Sequence, residues 1–162
     1  MTRLLVAPAT LWRLFFAWIA LTVLFGVVMR VWDFEIIDEI SNPAAVIAHV
    51  DAMSSVQRAV HAWMTGTLDV VYPFVYGALF CGVAMRAFDR AGGALALLIA
   101  AVIPVDITEG VAQIAILNGA YEAAGLKAYL TPLKLGLFFL GLAVFIAGLV
   151  RMGLRARKAP AA

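Results

Sequence analysis

Asp106, Glu109 and Gln113 recur at i, i+3 and i+7 within one apolar stretch of the chain, and Asp69, Tyr72 and Tyr76 repeat the same offsets in another. A third apolar stretch contributes Lys134. On a helix such offsets place each triplet on one face. Acids and a base inside sequence suited to hydrocarbon are costly unless they meet partners or water, so they mark where a function would sit. Two carboxylates three residues apart in low dielectric cannot both ionise cheaply unless Lys134 neutralises one. That setting suits a general acid/base, a proton carrier or a cation site. Glu109 and Asp106 are the candidates for catalysis, and with Asp69, Tyr72, Tyr76, Gln113 and Lys134 they make up a candidate ligand-binding set. The same groups would also serve as a structural network between helices, and both readings stay open.

The elements that position these residues follow from composition. Of the 162 residues 65% are hydrophobic and 14% charged, and mean hydropathy is +1.00; a soluble domain is about half apolar and a quarter charged. An all-α, multi-pass membrane protein is expected, a four-helix bundle in a single domain. The apolar segments fall at about 11–31, 67–87, 93–117 and 129–150, each near the ~20 residues a spanning helix needs. The basic, apolar N-terminal segment lacks a small-x-small cleavage pattern and reads as a retained first helix. Its aromatics, Phe15, Phe16, Trp18 and Phe25, suit a lipid-facing or partner-facing element.

Between the first two segments lies an acidic stretch with Asp33, Glu35, Asp38, Glu39 and Asp51. Within it Asn42-Pro43 reads as a helix start. Val46, Val50, Met53, Val56 or Gln57, Val60 and Met64 continue at three- and four-residue steps, predicting one amphipathic helix over about 42–65 that lies on the membrane or caps the bundle. Pro73 and Pro104 bend the second and third spanning helices and leave space between them. Gly136, Gly141 and Gly148 permit close approach of the fourth.

Charge sets the expected orientation. Arg3, Arg13, Arg86, Arg90, Arg151, Arg155, Arg157 and Lys158 flank one side, against Arg30, Arg58 and Lys127 on the other, so both termini are expected to be cytoplasmic. The basic tail, 151–162, suits anionic lipid headgroups rather than nucleic acid. Counting depth along the helices puts the two triplets opposite each other in the outer half of the bundle, with Lys134 in reach of either acid.

Other residues point elsewhere. His49 and His61 are twelve positions apart and ~120° round a helix, so they form no chelating pair, and no metal site is expected. His61, at the expected pocket mouth, could join Asp69 as acid/base or metal ligand, but the favoured reading is a solvated residue at the membrane surface, and Arg30–Asp33 and Arg86–Asp89 read as interfacial ion pairs. The lone Cys81 excludes an intramolecular disulfide. No nucleophile elbow, HExxH, Walker loop or CxxCH occurs, and no cofactor is indicated.

The stretch Asp69-Val70-Val71-Tyr72-Pro73-Phe74-Val75-Tyr76-Gly77, the acids of the third segment and Leu130-Thr131-Pro132-Leu133-Lys134 together resemble a pattern in small four-helix bacterial membrane proteins of unassigned function. The resemblance spans roughly the second half of the chain; where that pattern often has an acid-Asn pair, this chain has Glu109-Gly110. It implies a bacterial inner-membrane protein in which Asp69, Tyr72, Asp106, Glu109 and Lys134 belong together, and it implies no activity.

Three functions compete. The first is an outward-opening intramembrane pocket for a small amphipathic or cationic ligand, in a transport-related role. The second is a membrane enzyme doing acid/base chemistry on a lipid-soluble substrate. The third is an accessory subunit or assembly factor, whose polar groups set helix register within a homo-oligomer or membrane complex.

Overall fold

The computed structural model describes residues 2–158; the Ala-Pro-Ala-Ala end expected to lack structure lies outside the described residues. Helix makes up 86% of it, with no strand among the described residues. A short helix α1 (Thr2–Leu5) precedes α2 (Pro8–Trp32), which starts on proline, whose missing N–H is an orphan at that position anyway. The α2 helix stops at Asp33, in the left-handed conformation (φ 49°), with its N–H on the Met29 carbonyl. An irregular stretch, 34–42, then tucks Phe34 and Ile37 inward.

The Asn42 side chain caps α3 (Pro43–Ala52), accepting from Ala45 N at 3.1 Å. Here the structure departs from the single amphipathic helix expected over 42–65. The chain breaks at Met53–Ser54 and restarts as α4 (Ser55–Met64), because Ser54 and Gln57 form a reciprocal capping box. Ser-x-x-Gln is legible in the sequence, but the apolar stripe runs straight across it. Nor does α4 stand apart from the second spanning helix. It passes through a π-helical turn, Thr65–Asp69, into α5 (Val70–Ala87), one continuous helix of 33 residues from Ser55 to Ala87. Pro73 lies one turn beyond Asp69 and cannot donate to its carbonyl, which favours the wider turn there.

A 3-10 turn, Asp89–Ala91, leads to α6 (Gly92–Ala100) and α7 (Val102–Leu117), which are separated at Ala101, three residues before Pro104. The last helix, α8 (Ala123–Lys158), begins six residues before the expected 129 and runs on through the basic segment. Lys127 is therefore a helical residue and not a loop base.

Four of these helical stretches, Pro8–Trp32, Ser55–Ala87, Asp89–Leu117 and Ala123–Arg157, are long and apolar enough to cross a membrane. The chain is a multi-pass membrane helical bundle. With four crossings the start of α2 and the end of α8 lie at one end of the bundle and the 33–54 segment at the other; these are called the terminal end and the loop end. Toward the terminal end the core is built on Phe80, with Trp18, Phe138 and Phe145 at ring distances of 5.5, 6.0 and 4.9 Å. At the loop end Ile37, Val46, Val50, Met64 and Ile116 form a second core that holds α3 and the 34–42 stretch against the bundle. Close packing needs glycine at three places, Gly82, Gly92 and Gly148. A Cβ at Gly92 would lie 2.8 Å from the Ala84 carbonyl oxygen, and one at Gly148 would lie 2.7 Å from Val83 Cγ1. Gly136 has nothing within 4 Å and serves no close contact.

The α2 helix buries no residue, although Leu11, Leu14, Phe15 and Trp18 lean on the core. Its outer face, with Trp12, Phe16, Val23 and Val27, is exposed.

Candidate functional site

Buried charge concentrates where α7 and α8 meet under the 34–42 stretch. The α7 triplet is wholly inside: Asp106 is 6% exposed and Glu109 and Gln113 are 0%. Opposite it α8 presents Lys127, Thr131 and Lys134 at i, i+4 and i+7, again one face. Lys127 Nζ lies 3.1 Å from Glu109 Oε1 and donates to Thr131 Oγ1 at 2.8 Å and to the Ile40 carbonyl at 3.0 Å. Thr131 also donates to Glu109 Oε1, and the other Glu109 oxygen is ion-paired with Lys134. Both oxygens of Glu109 are thus held by cations, which is what makes a carboxylate tolerable at zero exposure.

Lys134 is the hub. Besides Glu109 its Nζ reaches Asp38 Oδ1 at 3.0 Å and Asp106 Oδ1 at 3.7 Å. Asp38 comes from the 34–42 stretch and also accepts from Gln113 Nε2 at 2.9 Å. Burial alone would raise the Asp38 carboxyl, but the Lys134 charge and the hydrogen bonds from Gln113 and Lys134 outweigh it and leave the group below its usual range. The loop is therefore latched onto the bundle by a charge-assisted contact.

Beside this cluster lies a cavity of about 360 Å³. Thr22, Phe25 and Met29 of α2, Ile36, Asp38 and Glu39 of the loop, and Tyr72 and Tyr76 of α5 form much of its wall, which is completed by Asp69, Asp106, Lys134, Leu135 and Phe138. The Tyr76 hydroxyl donates to Asp106 Oδ2 at 2.9 Å. Asp69, half-buried, has no hydrogen bond among the described residues. Tyr72 turns toward α2, its hydroxyl accepting from Trp18 Nε1 at 2.9 Å and lying 3.0 Å from Thr22 Oγ1.

The structure therefore divides the seven residues singled out by spacing. Asp69, Tyr72, Tyr76, Asp106 and Lys134 share the cavity wall, whereas Glu109 and Gln113 sit behind it, sealed in by Lys127, Lys134 and Asp38. Glu109 is enclosed by protein on all sides and is a poor candidate for contact with a substrate.

No protein-family model, curated protein or solved structure matches this chain.

Lys127, Thr131 and Asp38 were not among the residues picked out by spacing. The i, i+4, i+7 series ending at Lys134 was a usable sign for the first two. Asp38 had none, because its role depends on how the loop folds back. The cavity also takes one wall from α2, the helix expected to face lipid or a partner.

His61 is not the solvated residue expected. It is 0% exposed, stacked on Phe34 at 5.1 Å, with neither ring nitrogen hydrogen-bonded among the described residues. Arg86 does not pair with Asp89; it donates to the Val6 carbonyl at 2.8 Å, and Asp89 is held by Arg151 and Arg155 instead. Arg30 and Asp33 form no ion pair among the described residues. No three His, Cys, Asp or Glu side chains among the described residues are placed to share a metal ion.

Proposed function

We propose that the protein binds a small amphipathic cation in the cavity between α2, α5, α7 and α8, in a transport-related role. The observation that carries this reading is a charge imbalance. Four carboxyls, Asp38, Asp69, Asp106 and Glu109, surround two ammonium groups, and both ammonium groups are committed: Lys127 to Glu109, and Lys134 among Asp38, Glu109 and Asp106. On the cavity wall Asp69 has no ion pair among the described residues, and Asp106 has only a 3.7 Å share of Lys134, so the cluster carries two more carboxyls than ammonium groups. In low dielectric such a surplus favours a cationic guest or protons in its place.

The rest of the wall fits the remainder of such a ligand. Phe25, Tyr72, Tyr76 and Phe138 make the wall aromatic, which suits a quaternary or protonated amine. Ile36, Met29 and Leu135 supply apolar surface for a short tail. The volume lies at the low end of the ~300–1,000 Å³ typical of small-molecule sites.

A proton-transfer enzyme is the second reading. It draws on the Tyr76–Asp106 hydrogen bond at the cavity wall, an acid paired with a hydroxyl where a substrate would lie. The bias of Lys and Arg toward the terminal end supports a cytoplasmic placement of that end, and the resemblance around Asp69 and Lys134 a bacterial inner membrane, with the cavity then in its outer half.

The test is titration of the protein in nanodiscs with an alkyl-trimethylammonium and with an uncharged alkyl amide of the same length. The cation is expected to bind at least tenfold more tightly than the amide, and Asp69→Asn with Asp106→Asn to remove that preference. Equal binding of the two probes, or an unchanged preference in the double variant, would refute the proposal.

A further inference from the structure

A second groove, of about 310 Å³, lies at the terminal end between α2, α5 and α8, remote from the charged cluster. Its wall is apolar, with Leu11, Trp12, Phe15, Phe145 and Leu149 prominent in it, and carries one charged residue, Arg86. That arginine stands one residue before the end of α5, where a spanning helix leaves the hydrocarbon. It is exposed, and its Nη1 is tied to the Val6 carbonyl at 2.8 Å, which fixes the guanidinium beside the turn between α1 and α2.

No carboxylate pairs with Arg86 among the described residues, and Asp89, three positions on, is already occupied by Arg151 and Arg155. A fixed, unneutralised guanidinium with spare donors therefore closes one end of a hydrocarbon-lined groove. Trp12, 60% exposed on the same wall, belongs to the class of side chain that anchors at headgroup level. An acidic head over an aliphatic tail is the complementary chemistry, and in a bilayer the molecule that supplies both is an anionic phospholipid.

We propose that this groove is a specific site for one anionic phospholipid, with the phosphate on Arg86 and an acyl chain along Leu11, Phe15, Phe145 and Leu149. The site is independent of the cation cavity, from which it differs in charge, lining and end of the bundle.

Native mass spectrometry of protein equilibrated with equal amounts of phosphatidylglycerol and phosphatidylcholine of identical chains tests it. Wild type is expected to retain one phosphatidylglycerol in preference by about five- to tenfold, the scale of one or two charge contacts at a membrane surface. Arg86→Gln should lose the preference and Arg86→Lys should keep part of it, with helicity and melting temperature followed in parallel. Leu149→Trp, which enlarges an apolar side chain on the groove wall and leaves Arg86 in place, should release the retained lipid. Equal retention of the two lipids by wild type overturns the proposal, as does a preference that survives Arg86→Gln. If Arg86→Gln does not fold, Leu149→Trp decides: release of the lipid supports the site and continued retention overturns it.

Discussion

Replacing Lys127 by methionine should unfold the bundle more readily without touching the cavity. At 3.1 Å from Glu109, the Lys127 ammonium contributes an attraction of about 5 kcal/mol at an effective dielectric of 20. Desolvation of a fully buried amine cancels part of it, and removing one partner of such a pair generally costs about 3–5 kcal/mol, because the other charge is stranded. Glu109 would keep Lys134 on its second oxygen and is not fully stranded, so the loss should fall just below that range, about 2–3 kcal/mol. The Ile40 carbonyl would also lose its donor, loosening the 34–42 stretch. Reversible unfolding in mixed detergent micelles, followed by helicity, measures the loss.

The paired variant Lys127→Met with Glu109→Gln strands no charge and should recover at least about 1 kcal/mol relative to additivity. Its affinity for an alkyl-trimethylammonium should stay within about threefold of wild type, since neither residue lines the cavity. A single variant within about 0.5 kcal/mol of wild type would refute the energetic reasoning. A large loss of affinity in the paired variant would instead show that Glu109 takes part in binding, and would overturn the division of the site.

Three further outcomes follow from contacts. Asp38 titrates below its unfolded value of about 3.9, so it contributes stability above about pH 4 that is lost as pH falls through its lower folded value; Asp38→Asn should flatten an acid-unfolding curve in that window. Gly92→Ala should cost about 1–3 kcal/mol, because its Cβ would meet the Ala84 carbonyl oxygen and Met85 Cα, both backbone, whereas Gly136→Ala should be neutral or slightly stabilising; equal melting temperatures would contradict this. His61→Leu should stabilise by about 1 kcal/mol, since two ring nitrogens without a partner among the described residues are removed from a fully buried position at the cost of stacking on Phe34. A drop in thermal stability would show that the ring has a polar partner.

The helical, membrane-spanning character is legible along the chain, because uninterrupted apolar length is a local property that hydrocarbon solvation reads directly. Spacing also places Asp106, Glu109 and Gln113 on one helical face, since the helix period is local too, and all three are buried. Helix ends were less legible. Lys127 and Thr131 look like flanking polar residues in one dimension, and only contact with Glu109 makes them part of a buried helix. The amphipathic stripe over 46–64 hid the Ser54 capping box, because apolar periodicity continues across a break that two side chains impose.

Which polar groups meet depends instead on how distant segments pack. Asp38 belongs to an irregular stretch without periodicity, and it reaches Lys134 and Gln113 because Ile37 beside it is buried in the loop-end core. The same fold-back, 75 residues distant in sequence from Gln113, separates Glu109 and Gln113 from the cavity that Asp69 and Asp106 line. No spacing rule carries that distinction. Whether a buried carboxylate is neutralised or left facing open space depends on the positions of charges contributed by other segments, and those positions are fixed only when the helices and the loop pack together.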